Sequence, residues 1–301
     1  MLICDTHADT LYAMQSPRRQ PDEPLDVTLE QLCAGEDVRV QAMALFVGAH
    51  GLAGEDRGLV QRELTMLERL KAQGARQITE ISQAMPGTAN LLLTIEGGEA
   101  FGSDVSSVAD FARMGVRAAA LVWNNENLLA HPAKGGSRKG LKPFGREIVQ
   151  QMRSHRIAVD VSHLNERGAE EVMDSHVPSM ASHSCARGLC DHFRNLTDHQ
   201  LRTLFASGGY VGVNFYVPFL TAKGTATLDT VIDHMAYMCD LGGENHVGLG
   251  SDFDGIDEYP TGLRNAGDIP ALLDRMSQRG FSHALIEKIA GQNFAAYLGR
   301  L

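Results

Sequence analysis

Ile157-Ala-Val-Asp-Val-Ser-His163 and Pro178-Ser-Met-Ala-Ser-His183 are two short apolar runs, and each leads into a histidine. Runs of this length, bounded by polar and turn-forming residues, read as buried strands. The same form recurs on both sides of them. Candidate strands lie at Leu2–Asp5, Val40–Val47, Asn90–Ile95, Arg117–Val122, Ile157–Val161, Pro178–Ser182, Tyr210–Asn214 and His246–Ser251. Helical patterns separate them. Leu59, Val60, Leu64, Leu67 and Leu70 recur at helical spacing, Thr197 and Asp198 can cap a helix carrying Leu201, Leu204 and Phe205, and Val231–Leu241 ends at Gly242-Gly243. Alternation of strand and helix implies parallel strands covered by helices. Roughly eight such units predict an α/β fold, a (β/α)8 TIM-type barrel, with 1–301 as one catalytic domain. A doubly wound open sheet is the alternative that periodicity alone leaves standing.

The bulk properties fit a globular enzyme. Of 301 residues, 44% are hydrophobic and 21% charged, enough apolar mass for a large core. The net charge of −10 argues against nucleic-acid binding, because an acidic surface repels phosphate backbones. Five cysteines, an odd number with no Cys-x-x-Cys pair, argue against a disulfide framework and for a reducing compartment. No signal-peptide pattern and no apolar run of ~18 residues is visible, so the expected location is cytoplasmic, with no membrane partner. Ser16–Leu25, with three prolines, and Ala130–Lys142, rich in glycine and basic residues, read as loops. The second could be a lid or an anion-binding loop, although such stretches are more often plain connections.

The chemistry is placed by the strand ends. His7 and Asp9 follow the first candidate strand, Glu96 the third, His163 the fifth, His183 the sixth and Asp252 the last. In a parallel barrel these ends share one face, the face that carries active sites. A lone histidine at a strand end is more often a structural hydrogen-bonding residue, and twelve histidines guarantee some coincidence. His155, His176, His192 and His199 read as surface residues. Five candidate ligands and Asp252, spread over five separate strand ends, are harder to dismiss. Imidazole and carboxylate together suit zinc. Glu96 can bridge two ions, with His7 and Asp9 on one and His163 and His183 on the other, and a bridging water would ionise near neutral pH. Asp252, in Gly-Ser-Asp-Phe-Asp-Gly255, suits a proton shuttle, with Asp254 ordering the loop. The segment is not a calcium loop, since Asp257 stands where that loop requires glycine. There is no Walker A pattern, no GxSxG elbow and no strand–GxGxxG–helix context.

Taken together, Asp5-Thr-His-Ala-Asp9, Ile95-Glu-Gly-Gly98, Gly140-Leu-Lys-Pro-Phe-Gly-Arg-Glu147, Val159-Asp-Val-Ser-His163, Ser182-His-Ser184, Arg194-Asn195, Val213-Asn-Phe-Tyr216, Gly250-Ser-Asp-Phe-Asp-Gly255 and Asn293-Phe294 form a specific set. The chain resembles, almost end to end, the membrane (renal-type) dipeptidases, peptidase family M19 of the amidohydrolase superfamily, and most of all their bacterial members. The resemblance implies a (β/α)8 barrel with two zinc ions. His7 and Asp9 would bind one, His163 and His183 the other, with Glu96 bridging. It implies that Asp252 protonates the departing amine and that Arg194 pairs with the substrate carboxylate, a contact its planar fork suits. Without the resemblance, Arg194 would read as a surface salt bridge. One departure stands out. Better-known members place a histidine after the fourth strand to polarise the scissile carbonyl, and here Trp123 takes that position, as in several bacterial relatives. Asn124, Asn125 and His131 are the candidate replacement donors.

The expectation is therefore a zinc-dependent dipeptidase acting on small dipeptides, some with a C-terminal D-residue. Trp123 keeps open another binuclear amide or ester hydrolase of the superfamily. A non-catalytic metal-binding relative is a further alternative, although such a protein would not need Asp252. A cofactor-dependent α/β enzyme lacks the phosphate or dinucleotide motif it requires. Family members often pair, which leaves a homodimer open.

Overall fold

The computed structural model describes residues 1–16, 19, 23–48 and 55–301, so the Ser16–Leu25 loop lies partly outside the described residues. Nine strands form among the described residues: β1 (Leu2–Asp5), β2 (Val38–Phe46), β3 (Arg76–Ile78), β4 (Asn90–Glu96), β5 (Val116–Ala120), β6 (Ala158–Asp160), β7 (Ser179–Ala181), β8 (Tyr210–Val213) and β9 (Val247–Leu249). Their pairings are all parallel. The sheet runs β2-β1-β9-β8-β7-β6-β5-β4-β3, and β2 also pairs with β4. That last pairing, from Val40↔Asn90 to Phe46↔Glu96, closes the sheet on itself and excludes the doubly wound alternative.

The eight expected strands form the ring, with ends displaced by a residue or two. β3 is the strand the periodicity does not announce. It is three residues long, and only Ile78 among them is buried. It pairs with the first half of β4, and β5 takes over the same flank from Leu93 onward, with a register shift between Leu93 and Thr94.

The apolar residues divide into two layers. Cys4, Val40, Ala42, Leu92, Ala118, Ala158, Met180 and Tyr210 form one cluster with Phe294, Tyr297 and Leu298 of the terminal helix Asn293–Leu298. That helix covers the end of the barrel where the strands begin: Arg300 donates to the carbonyl of Gly208, just ahead of β8. The larger cluster joins the strands to the surrounding helices. The helix Glu55–Ala72 packs Leu59, Val60, Leu67 and Leu70 into it, as the spacing of those residues predicts. Thr197 caps Asp198–Ala206 through a reciprocal capping box with Gln200. The helix Leu228–Met238 runs into a wider turn, Cys239–Gly243, where Gly242 takes φ 102°. With one end closed, the opposite mouth is the one open to ligands.

Candidate metal centre

At that open mouth the chain turns sharply. Five described non-glycine residues have positive φ, and three of them are His163 (64°), Asp252 (66°) and Asp254 (64°). A left-handed backbone costs energy for such residues and persists where the surroundings over-determine it. Two Asp–Ser clamps hold these turns. Asp5 Oδ1 accepts the backbone N–H of Ser251 at 2.8 Å, and its Oδ2 accepts the Ser251 hydroxyl, which ties β1 to the loop after β9. Asp160 Oδ1 accepts the N–H groups of Ser162 and Ser182 at 2.9 and 3.0 Å, and its Oδ2 accepts the Ser182 hydroxyl, which ties β6 to the loop after β7. The glycine-rich loop braces the same region. Ala133 N–H donates to the His163 carbonyl at 2.7 Å, and Asn165 Nδ2 donates to the carbonyls of Ser137 and Lys139 at 2.8 and 2.7 Å.

The six strand-end residues converge. His7 Nε2 lies 3.5 Å from Glu96 Oε2, 3.7 Å from Asp9 Oδ2 and 3.7 Å from Asp252 Oδ1. His163 Nε2 lies 2.8 Å from Glu96 Oε1, and His183 Nε2 lies 3.4 Å from the same oxygen. The Nε2 atoms of His163 and His183 are 3.0 Å apart. Glu96 thus stands between two donor groups, with one carboxylate oxygen toward each. His7, Asp9, Glu96, His163 and His183 are all buried, and Asp252 is nearly so.

A metal fits this arrangement. His7 Nε2 and Asp9 Oδ1 are buried with no hydrogen-bond partner, which a folded protein rarely tolerates unless a ligand completes them. Donor atoms of His7, Glu96 and His183 lie within 4.8 Å of one another, and so do those of His7, Asp9 and Asp252. Nitrogen and carboxylate donors of this kind suit zinc and similar divalent ions.

The electrostatics point the same way. Burial alone would depress the His7 imidazolium, yet the carboxylates of Glu96 and Asp9 outweigh it and hold its pKa well above the usual value. Burial would raise Glu96, but His7 and His163 pull it well below the carboxylate range. Burial, reinforced by Glu96, pushes Asp9 up to about 6. Burial, with Asp9 and Glu96 beside it and His7 opposing, pushes Asp252 up to about 7. Burial and the Arg194 charge lower His163 to about 4. Burial and His7 take His183 well below its usual value. Three carboxylates crowd one small volume, and His7 and the buried Arg194 both answer them electrostatically.

A cavity of ≈ 430 Å³ opens over these groups, lined by Asp9, Glu96, His163 and Asp252 and walled by Tyr12, Phe46, Trp123, Tyr216 and Phe219. Trp123 meets Phe46 edge-on at 5.2 Å, and Phe46 meets Tyr12 edge-on at 5.0 Å. Gly48 makes room for the indole: a Cβ there would stand 2.3 Å from Trp123 Cβ. The candidate replacement donors separate. Asn125 Nδ2 is committed to the Gly48 carbonyl at 2.8 Å, and His131 Nδ1 lies 3.1 Å from Glu126. Asn124 lines the cavity, with Oδ1 3.3 Å from His163 Nδ1.

Arg194 is buried, not a surface residue. It sits over the Phe219 ring at 5.3 Å and donates to the His183 carbonyl at 3.3 Å, with its Nε unpartnered. Asp252 Oδ2 accepts from Asn214 Nδ2 at 2.8 Å. Asp254 orders its loop, accepting the Thr10 hydroxyl at 2.7 Å and the Asp26 N–H at 2.8 Å. His192 departs from its expected place on the surface: it is half-buried and packs on Phe219 at 4.7 Å, because the turn that carries Arg194 folds it inward. His176 and His199 are exposed, and His155 is half-buried. Sequence reasoning missed Asp5, Asp160, Ser182, Ser251 and Asn214. The available signal was an aspartate closing a strand ahead of a histidine, twice, with a serine directly before His183 and before Asp252.

Comparison with known proteins finds relatives over most of the chain. The chain is 38% identical over 207 residues to an uncharacterized dipeptidase of Schizosaccharomyces pombe, covering 67% of this chain and 51% of that one. It is 36% identical over 207 residues to the dipeptidase tcpJ of Claviceps purpurea, covering 67% and 48%. The match therefore spans about half the length of these two fungal relatives. The fold superposes on a crystal structure of a metallopeptidase from Rhodobacter sphaeroides, liganded with a phosphinate mimic of the dipeptide L-Ala-D-Ala, with a TM-score of 0.88 and 25% identity over 100% of this chain and 99% of that one. No described helix is long and apolar enough to cross a membrane. Residues 1–298 match the membrane dipeptidase family as a whole, and the chain belongs to that family, peptidase family M19.

Proposed function

We propose that the protein is a zinc-dependent dipeptidase. One observation carries the proposal: Glu96 turns Oε2 toward His7 and Oε1 toward His163 and His183, with Asp252 and Arg194 close by. His7 and Asp9 would hold one zinc, His163 and His183 the other, and Glu96 would serve both. Metal bound there would supply Lewis-acid polarisation of the scissile carbonyl and an acidified water. The chain's own groups do the rest. Arg194 would receive the substrate's C-terminal carboxylate, because its guanidinium is buried beside the site and its Nε lacks a hydrogen-bond partner. Asn214 fixes Asp252, whose carboxyl pKa is pushed up by burial in the metal-free site, and Asp252 would take a proton and return one to the departing amine. The aromatic walls exclude water and receive the side chains.

The mimic of L-Ala-D-Ala held by the Rhodobacter sphaeroides relative supports substrates with a C-terminal D-residue. Residues 1–301 would act as one catalytic barrel. The five cysteines, none in a disulfide, support a reducing, cytoplasmic setting. Elemental analysis and a panel of L-Xaa-L-Xaa and L-Xaa-D-Xaa dipeptides test the proposal. Two zinc ions per chain and turnover that Glu96→Gln abolishes are expected, and a metal-loaded protein that cleaves no member of the panel defeats it. Trp123 in the cavity favours a second reading, an amide or ester hydrolase of other substrates. Preference for a neutral substrate, with Arg194→Ala harmless, would select it.

A further inference from the structure

We propose that Asp160 and Ser182 are positioning residues that set the tautomer of His183, keeping its proton on Nδ1 and its Nε2 lone pair turned toward Glu96. The inference rests on the proposed role of His183 as a metal ligand.

The polarity of the chain follows from counting protons. Asp160 Oδ1 is occupied by two backbone N–H donors, from Ser162 and Ser182. Its Oδ2 is engaged by the Ser182 hydroxyl. A carboxylate has no proton to give, so the single hydroxyl proton of Ser182 points at Asp160. Ser182 Oγ also lies 2.7 Å from His183 Nδ1 and has only lone pairs left on that side. His183 must therefore donate from Nδ1, and its neutral ring must present an unprotonated Nε2. That nitrogen faces Glu96 Oε1 at 3.4 Å and His163 Nε2 at 3.0 Å, where a metal needs a lone pair. A ligating histidine is commonly oriented by the partner of its other nitrogen. Here the orienting carboxylate acts through a hydroxyl, and all three side chains are buried, so water does not compete for them.

Asp160→Asn makes the proposal falsifiable, because it preserves shape and reverses polarity. The two backbone donors require the amide carbonyl at the Oδ1 position, so the amide NH2 must replace Oδ2. The amide then donates to Ser182 Oγ, whose own proton turns toward His183 Nδ1. His183 is driven to the Nε2–H tautomer, which blocks the metal position. Ser182→Ala removes the relay without reversing it.

The experiment compares the three proteins in two ways. Long-range 1H–15N spectra of metal-free protein labelled with 15N-histidine, with the His183 signals identified by their loss in His183→Asn, report the tautomer. Competition with a chromophoric chelator reports zinc affinity. The expected result is Nδ1–H in the wild type and Nε2–H in Asp160→Asn. Zinc affinity should fall on the order of 10–100-fold in Asp160→Asn, and by less in Ser182→Ala. A purely structural role predicts the opposite order, with the isosteric Asp160→Asn the milder change. An Nε2–H wild type, or equal zinc affinity in all three proteins, overturns the inference. Wild-type protein that takes up no zinc defeats the metal assignment instead, and the tautomer signal still decides the relay.

Discussion

Gly255→Ala isolates the catalytic geometry from the fold. A Cβ on Gly255 would stand 2.2 Å from Asp9 Oδ2 and 2.8 Å from Asp252 Oδ1. An ordinary contact begins near 3.4 Å, so the Asp9 carboxylate must retreat by about 1 Å. Gly255 is exposed and its φ lies outside the left-handed region, so alanine strains no backbone there. The cost falls on Asp9 and Asp252, which cannot both keep their places. Misplacing a catalytic group by about 1 Å costs on the order of 100-fold in rate, or about 2.7 kcal/mol of barrier. Steady-state kinetics on a cleaved dipeptide, with metal content and Tm measured on the same preparation, provide the assay. The expected result is kcat reduced about 100-fold, weaker retention of the metal next to Asp9, and an apo-protein Tm within a few degrees of the wild type. A variant with full metal content and kcat within threefold would refute the placement of Asp9 and Asp252 at one shared centre.

Three further outcomes follow from other parts of the chain. Glu63 is buried on the helix Glu55–Ala72 with neither carboxyl oxygen hydrogen-bonded; burial, then Asp9, raises its pKa well above the usual value, with only partial compensation from Phe46 and Arg62. A raised carboxyl pKa means the folded state binds more protons, so stability is lost as pH climbs past the unfolded value of about 4.3. Glu63→Gln should therefore stabilise by about 1–3 kcal/mol near pH 8 and by less near pH 5, as read by Tm at the two values; an equal gain at both would sink the assignment. Zinc should displace protons from His7, Asp9 and Asp252. With Asp9 at about 6 and Asp252 at about 7, apparent affinity should rise from pH 5 to pH 8, and a flat profile in chelator competition would contradict the site's electrostatics. Trp123→Phe keeps the aromatic wall and deletes the indole N–H. If that N–H serves the developing oxyanion, kcat should drop about 10–100-fold with KM nearly constant, and unchanged kcat would assign Trp123 to packing alone.

The ring of strands was legible because burial on both faces leaves apolar runs, and because each run at the site ends in a residue too polar for a core. Closure was legible from the number of units and the resemblance, but not from periodicity. It depends on β2 meeting β4 over seven residue pairs while β3 is set aside, a choice made by packing rather than by period. The site's ligands were legible as types at strand ends, but their supports were not. Asp5 and Asp160 look like ordinary strand-terminal aspartates until the neighbouring strand brings Ser251 and Ser182 into register beside them. Arg194 shows the same limit from the other side. Its loop position suggests exposure, whereas Phe219 and the His183 carbonyl bury it.

These supports explain why the centre tolerates its own charge. Asp9, Glu96 and Asp252 bring three carboxylates together in a setting where like charges repel far more strongly than in water. A loosely held cluster would relax by swinging its side chains apart. Here the turns at His163 and Asp252 are fixed in strained backbone by the aspartate–serine clamps, and Asn214 holds Asp252 from behind. These contacts restrict such movement, and taking up protons or cations lowers the energy instead. The raised pKa values of His7, Asp9 and Asp252 are the first response, and a metal is the second. The contacts that hold the carboxylates together are therefore also what makes the site attract cations, in competition with protons, near neutral pH.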